Sequence, residues 1–365
     1  MNISVMMTYS RYLLLAGVMC AFASCQREDL PSDETGNGKA IEISASSEWP
    51  KFTKGLITDP DDLAGDGFVV WGAWKKDPSD KTTYLGDYSS GTNNRVFGDN
   101  GTMVNYVDGS DWEYSPKKYW NRGTYTFAAV LPGSKFAATY NSGNSGAGYI
   151  AGLNVPATGN TSLEIDFGEG GFDLDGTQTD IMVAFSDVDN KDESKTTVSL
   201  NFVHQLALVK FEASATDATV EVDEIILKSY KSKAESAEFN WSGNSVTPVW
   251  KLKDEKGNSS HTNGTAGWVM TTDLQNMFEH LVLPQTATGA KVSITYTEHF
   301  DGASTETGKA VAKNVEVAIP EITWEPSKIY TYRFTVTAEG IIFDTPVVTQ
   351  WQNGSDDVFD IPEKM

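Results

Sequence analysis

The residues able to do covalent or acid–base chemistry in this 365-residue chain are two cysteines, four histidines and fifty carboxylates. Both cysteines, Cys20 and Cys25, lie near the amino terminus, and no thiol follows them. The thiolate is the reactive form of cysteine in acylation and disulfide exchange, so sulfur chemistry is confined to one end of the chain. His204, His261, His280 and His299 show no metal-ligand spacing, and no later cysteine can join them. His204 falls on the inward face of a strand pattern and reads as a core or strand-end imidazole. No metal and no cofactor is expected.

The carboxylates are numerous but unspecific. The stretch Asp187-Val188-Asp189-Asn190-Lys191-Asp192 begins like a calcium loop. It then fails at the fifth position (Lys191), the sixth (Asp192 where a turn glycine belongs) and the twelfth (Val198). Asp173, Asp175 and Asp180, and also Asp59, Asp61, Asp62 and Asp66, read as solvated turns. A carboxylate pair could hydrolyse a glycosidic bond at the right separation, yet so acidic a chain offers such pairs everywhere. The glycine run at 146–151 resembles a dinucleotide fingerprint, but "GLNVPATGN" follows it and cannot form the required helix. No Gly-x-Ser-x-Gly elbow occurs. The chain does not read as an enzyme. Trp74, Trp112 and Trp241, flanked by polar residues, are the aromatics to inspect for exposure.

The elements that position these residues read as strands. Short apolar runs alternate with turns rich in glycine, serine, threonine and asparagine, the texture of an all-β protein. Tyr125, Phe127 and Ala129 share one face of a strand. From Val198 to Ala213 the pattern is polar on one side at first and apolar on both later, as in a strand buried in the middle of a sheet. Other candidates are Val220–Leu227, Lys291–Thr297 and Val315–Ile319. In Ile329–Thr337 the residues Tyr330, Tyr332, Phe334 and Val336 face inward. One stretch reads as helix: Leu274, Met277, Phe278 and Leu281 follow helical spacing between Thr272 and Pro284. A polar segment, Asp187–Lys195, separates two runs of strands, so domains are expected at 45–190 and 196–365. "YWNRGTYTFAAVLP" (119–132) and "WEPSKIYTYRFTVT" (324–337) resemble each other, which suits two sandwiches of related design. Net charge is −22 and basic residues never run beyond pairs, which argues against nucleic acid as a partner.

Arg11 is the first charge, followed by the apolar run Tyr12–Ala23 and then small residues, the plan of a secretory signal over residues 1–24. Phe22-Ala23-Ser24-Cys25 resembles the lipobox of bacterial lipoproteins, with Phe22 where leucine is commoner. The resemblance implies lipidation of Cys25 and an outer-membrane anchor. Gln26-Arg27-Glu28-Asp29 resembles the export signal of Bacteroidetes surface lipoproteins. Residues 25–44 read as a flexible tether. With Cys20 discarded and Cys25 acylated, the mature chain has no disulfide.

The segments "WEYSPKKYWNRGTYTFAAVLP", "TDIMVAFS", "VSLNFVHQLALVKFEA", "LVLPQ", "SKIYTYRFTVTAEGIIF" and "VVTQWQNG" occur in an order that resembles the fimbrillin family of Bacteroidales. The likeness spans about residues 45–355. It implies two transthyretin-like β-sandwich domains and a place as structural subunit, tip or anchor of a fimbria that supports adhesion. It also implies partners: other fimbrial subunits joined by strand exchange, and a host or bacterial surface ligand. In stalk subunits of the family a protease removes an N-terminal segment with its first strand, and a neighbour's C-terminal strand fills the groove. Here Lys51 and Lys54 are the candidate processing sites, ahead of an expected first strand. Ile341, Phe343, Val347, Thr349 and Trp351 alternate in the candidate donor strand, with Pro346 at a bulge or edge. The alternative is a monomeric surface lipoprotein that binds glycans.

Overall fold

The computed structural model describes residues 39–47, 67–79, 94–98, 100–107, 111–136, 149–156, 158–175, 178–216, 220–263, 267–299, 310–337, 340–351 and 358–359. The strands before residue 150 are β1 (Glu42–Ser47), β2 (Phe68–Lys76), β3 (Asn94–Arg95), β4 (Thr102–Val107), β5 (Asp111–Glu113) and β6 (Gly123–Leu131). Next come β7 (Ile150–Asn154), β8 (Thr161–Asp166), β9 (Phe172–Asp173), β10 (Met182–Asp189), β11 (Thr197–His204) and β12 (Ala207–Ala215). They are followed by β13 (Val220–Lys231), β14 (Lys233–Ser242), β15 (Ser245–Leu252), β16 (Lys256–Thr262), β17 (Trp268–Val269), β18 (Gln275–Val282) and β19 (Gln285–Thr286). The last are β20 (Lys291–His299), β21 (Ala310–Ala318), β22 (Thr323–Trp324), β23 (Lys328–Thr337), β24 (Gly340–Phe343), β25 (Val347–Gln350) and β26 (Val358–Phe359). The one helix among the described residues, α1 (Gly133–Phe136), is a single turn. The protein is all-β.

The first sheet closes on itself. β2 pairs with β4, β4 with β5, β5 with β1, β1 with β11, β11 with β10, β10 with β6, and β6 returns to β2. Period-2 alternation then divides each strand between an inside and an outside. On β6, Tyr125, Phe127, Ala129 and Leu131 fill the ring's core, while Ala128 and Val130 face out. Phe68, Val70, Val198, Leu200 and Phe202 join the inner set. This agrees with the face expected for Tyr125, Phe127 and Ala129.

Outside the ring, β15-β14-β8-β7 form a second sheet. Leu163, Ile165, Ala237 and Phe239 from that sheet pack on Val69, Trp71, Val130 and Val183 from the ring wall. A second pair of layers, β18-β12-β23-β25-β26 against β16-β13-β20-β21, encloses another core. There Val209 and Phe211 meet Ile225, Leu227, Ile294, Tyr330, Tyr332 and Phe334. β12 lies between β18 and β23 and is buried on both faces, with Val209 and Phe211 in one core and Leu208 in another. The doubly buried strand read from the sequence is real, but it is interrupted: β11 ends at His204 and β12 starts at Ala207.

That interruption is where the chain changes sheets. β11 pairs within the ring, so the polar segment Asp187–Lys195 joins two neighbouring strands of one sheet. β14, well past the expected boundary, pairs with β8 before it. Strands from the two halves of the sequence therefore share a sheet and a core.

The two similar stretches are similar in structure. Trp120 and Trp324 are fully buried. The Tyr125 hydroxyl donates to Asn121 O at 2.9 Å and accepts from Asn121 N at 2.6 Å. The Tyr330 hydroxyl accepts from Glu325 N at 2.7 Å. Each corner is thus tied by a tyrosine to backbone a few residues upstream, as sandwich corners often are.

Two expectations are corrected. The stretch expected to be helical is β18, antiparallel to β12. A bulge between Phe211 and Glu212 sets Phe278 opposite Phe211 and Asn276 opposite Glu212, leaving Met277 as the extra residue. Met277 and Phe278 then both pack on the core, and Leu281 follows inward. A bulge in a strand thus imitates helical spacing. The expected tether at 25–44 also runs too far. Ile41 is fully buried and β1 begins at Glu42, because Ile41, Ile43 and Ala45 alternate with polar residues.

Candidate functional site: the strand that closes the ring

β1 is short and polar on its outer face, yet the ring depends on it. It runs parallel to β11 residue for residue, from Glu42 opposite Thr197 to Ser47 opposite Phe202. Its other edge touches β5 at a single pair, Ile43 with Trp112. Ile41 N donates to Lys118 O at 2.8 Å, Trp120 N donates to Lys39 O at 3.0 Å, and the Tyr114 hydroxyl donates to Ile41 O at 2.7 Å. Ile41 and Ile43 sit among Phe68, Trp120 and Val198 in the ring core. Burying each isoleucine contributes roughly 1.5–3 kcal/mol. The attachment is thus one full ladder on one side, a single strand pair and a few hydrogen bonds on the other, and two apolar plugs.

The sequence-predicted residues fall as follows. Cys25, Lys51 and Lys54 lie outside the described residues, as do the glycine run at 146–151 up to Gly148 and the acidic group Asp59, Asp61, Asp62 and Asp66. In chain order β1 stands between Cys25 and the two lysines, so the first described strand precedes Lys51 and Lys54 instead of following them. The candidate donor run lies on its own sheet. Ile341 and Phe343 on β24 oppose Val336 and Phe334, and β25 opposes the first part of β23. Its alternation breaks at Pro346, which lacks an N–H for the ladder: beyond it Val348 is buried in the core while Val347 and Thr349 are only half-buried.

Trp351 ends this run in a polar clamp. Its ring stacks on His204 with centroids 3.8 Å apart and planes 6° from parallel. His204 Nδ1 lies 2.6 Å from Asp180 Oδ2, and both side chains are almost wholly buried. Trp351 N donates to Ser327 O, and the Ser327 hydroxyl donates to His204 O at 2.6 Å. The carboxy-terminal strand is therefore pinned to the point where the chain crosses between sheets. His204 is a strand-end imidazole, as its position in the sequence suggested. Its partner Asp180, 24 residues away, carries no sequence signal of the pairing.

A second polar knot was not legible in the sequence. Asp175 Oδ1 accepts from the Tyr230 and Ser259 hydroxyls at 2.7 and 2.6 Å, and Oδ2 accepts from Ser232 Oγ and Asn258 N. Burial works to raise the Asp175 pKa, but these hydrogen bonds prevail and hold it below the usual carboxylate range. Tyr230 Oη lies 2.9 Å from His280 Nε2, and the His280 ring meets the edge of His261 at 5.1 Å. Burial pushes His261 down to about 4; burial, then His261, push His280 down to about 3. Both imidazoles are neutral at physiological pH. Gln178 completes the knot, accepting from Leu281 N. Chemically this arrangement fastens β13, β16 and β18 to the segment at Asp175.

The three candidate carboxylates thus go to three places: Asp173 lies 3.5 Å from Lys233, Asp175 sits in the knot and Asp180 is with His204. Among the described residues no group of three or more histidine, cysteine or acidic side chains is placed to hold a metal. Trp74 is buried, and Trp112 and Trp241 are half-buried, so they form no flat exposed platform.

A search among curated proteins finds no match. Among solved structures the fold is similar to a fimbrial protein from Bacteroides vulgatus, at 13% identity and a TM-score of 0.56, covering 86% of this chain and 100% of that one. A structure described as a candidate cell adhesion protein from Bacteroides uniformis aligns at 15% identity and a TM-score of 0.44, covering 86% of this chain and 99% of that one. A family profile matches residues 58–351, and its description is fimbrillin-like. That match spans most of the sequence: the chain belongs to the fimbrillin-like family.

Proposed function

We propose that this protein is a cell-surface fimbrial subunit, lipidated at Cys25, held at the outer membrane, and assembled with other subunits by replacement of β1. The observation that carries the reading is the position of β1. It closes the ring, yet it lies between the lipidation site and the lysines. Cleavage after Lys51 or Lys54 leaves β1 attached by non-covalent contacts alone: its ladder, its two isoleucines and the few hydrogen bonds to Lys118, Trp120 and Tyr114. Its departure opens the edge of β11 and the pockets of Ile41 and Ile43. An open edge with alternating apolar pockets is what an added strand recognises. The proposed donor is the carboxy-terminal run of a neighbour, with Ile341, Phe343, Val347, Thr349 and Trp351. In the isolated chain that run stays on β23, so donation requires it to leave its own sheet. A head-to-tail contact of this kind does not close and grows a filament. Adhesion to a host or bacterial surface follows from the filament's position outside the cell.

The test is the intact mass of the protein recovered from its native surface. A chain beginning just after Lys51 or Lys54, without lipid, is the expected result for a stalk subunit. A chain beginning at acylated Cys25 overturns strand replacement and leaves an anchored, tip or solitary lipoprotein. An unacylated Cys25 overturns the anchor.

A further inference from the structure

The crossover between sheets leaves a cavity of about 370 Å³ beside it. Four separated segments build it: β10, the end of β11, the turn between β14 and β15, and the loop before β23. One wall is aromatic. Phe185 and Trp241 stack with centroids 5.3 Å apart and planes 8° from parallel. The indole is fixed in place because its Nε1 donates to Asp187 Oδ2 at 3.0 Å. The lining also includes amides and a hydroxyl, from Asn201, Gln205, Asn244 and Ser245. Asn201 and Asn244 make no side-chain hydrogen bond to any described residue. The hairpin that carries Asn244 turns at Gly243, whose φ of 66° suits the first central position of a tight turn. No aspartate, glutamate, lysine or arginine lines the cavity among the described residues.

We infer that this cavity binds one pyranose unit of a neutral carbohydrate. The one imidazole in the lining, His204, is already engaged by Asp180 and stacked on Trp351; an anion would need lysine or arginine there and a metal ion further ligands, and the lining supplies neither. A purely apolar ligand would leave the amides unpaired, at a cost. A pyranose offers an apolar C–H face to the indole and a rim of hydroxyls to side-chain amides, which both donate and accept. The volume falls in the range of small-molecule sites, roughly 300–1,000 Å³. Trp241, flanked by polar residues in the sequence, thus lines a pocket and not a flat platform. The site is built within the single chain, and Asn201 on its rim pairs with Ser46 of β1.

The experiment is saturation-transfer NMR on the full chain, with methyl glycosides of glucose, galactose, mannose, N-acetylglucosamine and fucose as probes, and choline and inorganic phosphate beside them. At least one glycoside is expected to receive transfer through its C–H face. Trp241→Ala and Asn244→Ala are each expected to weaken it by roughly tenfold or more, about the worth of one well-placed contact. Asn244 lies on an exposed turn, so its variant carries the test if Trp241→Ala fails to fold. Longer oligosaccharides ending in the bound unit separate the sources: retained binding identifies a surface glycan, lost binding a free sugar. Absence of transfer from every glycoside overturns the proposal. So does transfer unchanged in both variants, or Trp241-dependent binding of choline or phosphate alone.

Discussion

Two buried imidazoles give this protein a definite response to acid. His261 titrates near 4 and His280 near 3 in the folded chain, against about 6.5 when unfolded. Below about pH 6.5 the unfolded state binds more protons, so stability falls as pH drops from there toward 3. Asp175 acts in the same direction, because its folded pKa is depressed and its hydrogen bonds weaken on protonation. The slope is of order 1 kcal/mol per pH unit for each fully engaged group. Denaturant unfolding at pH 7, 6, 5 and 4 should show a steady loss, and His280→Gln should flatten it between pH 6 and 4. An unchanged slope in that variant would place the acid sensitivity elsewhere. None of this was legible in the sequence. His261 and His280 are 19 residues apart, with their partners Asp175 and Tyr230 further off, and only the folding of β13, β16 and β18 onto one another brings them together.

At the scale of elements, the strands whose alternation is uninterrupted were readable, and those with a break were not. Tyr330, Tyr332, Phe334 and Val336 face one core along the whole of β23, as their period predicted. β18 was misread because its bulge places two adjacent residues on one core, and β1 because only Ile43 and Ala45 mark it amid serines, with Ile41 just ahead. The candidate donor run read as one strand because alternation alone does not reveal that Pro346 shifts the phase. β1 also offers the sharpest contrast between its faces. Ile43→Asp places an unpaired charge in the ring core and should cost about 3 kcal/mol or more. Ser46→Asp, on the exposed face, should cost less than about 0.5 kcal/mol. Denaturant midpoints of the two variants in the full chain check the register directly, and equal losses would refute it.

Among the described residues the strands are joined by non-covalent contacts alone. Cys20 and Cys25 are its only thiols, and both lie outside the described strands. Thermal unfolding of the chain should therefore be the same with and without a strong reductant; a lowered midpoint would reveal a cross-link. What replaces covalent staples is interleaving. Leu206, Leu208, Leu281 and Ile329 share a core with Val69, Val130 and Val183, and the Asp175 knot and the Trp351 clamp fasten the same region. The all-β class and the family were legible from the order of short apolar stretches. The shared core was not, since a polar segment such as Asp187–Lys195 looks the same whether it joins two domains or two neighbouring strands.

The in-register pairing of β1 with β11 also has a mechanical side. Tension applied to the chain ahead of Lys39 acts along the axis of β1, while β11 is held by β10 behind it. The ladder is then loaded in shear, with its bonds strained together, and does not peel open one bond at a time. A polar strand of six residues can in this way bear a pull that would unzip the same bonds if it came from the side.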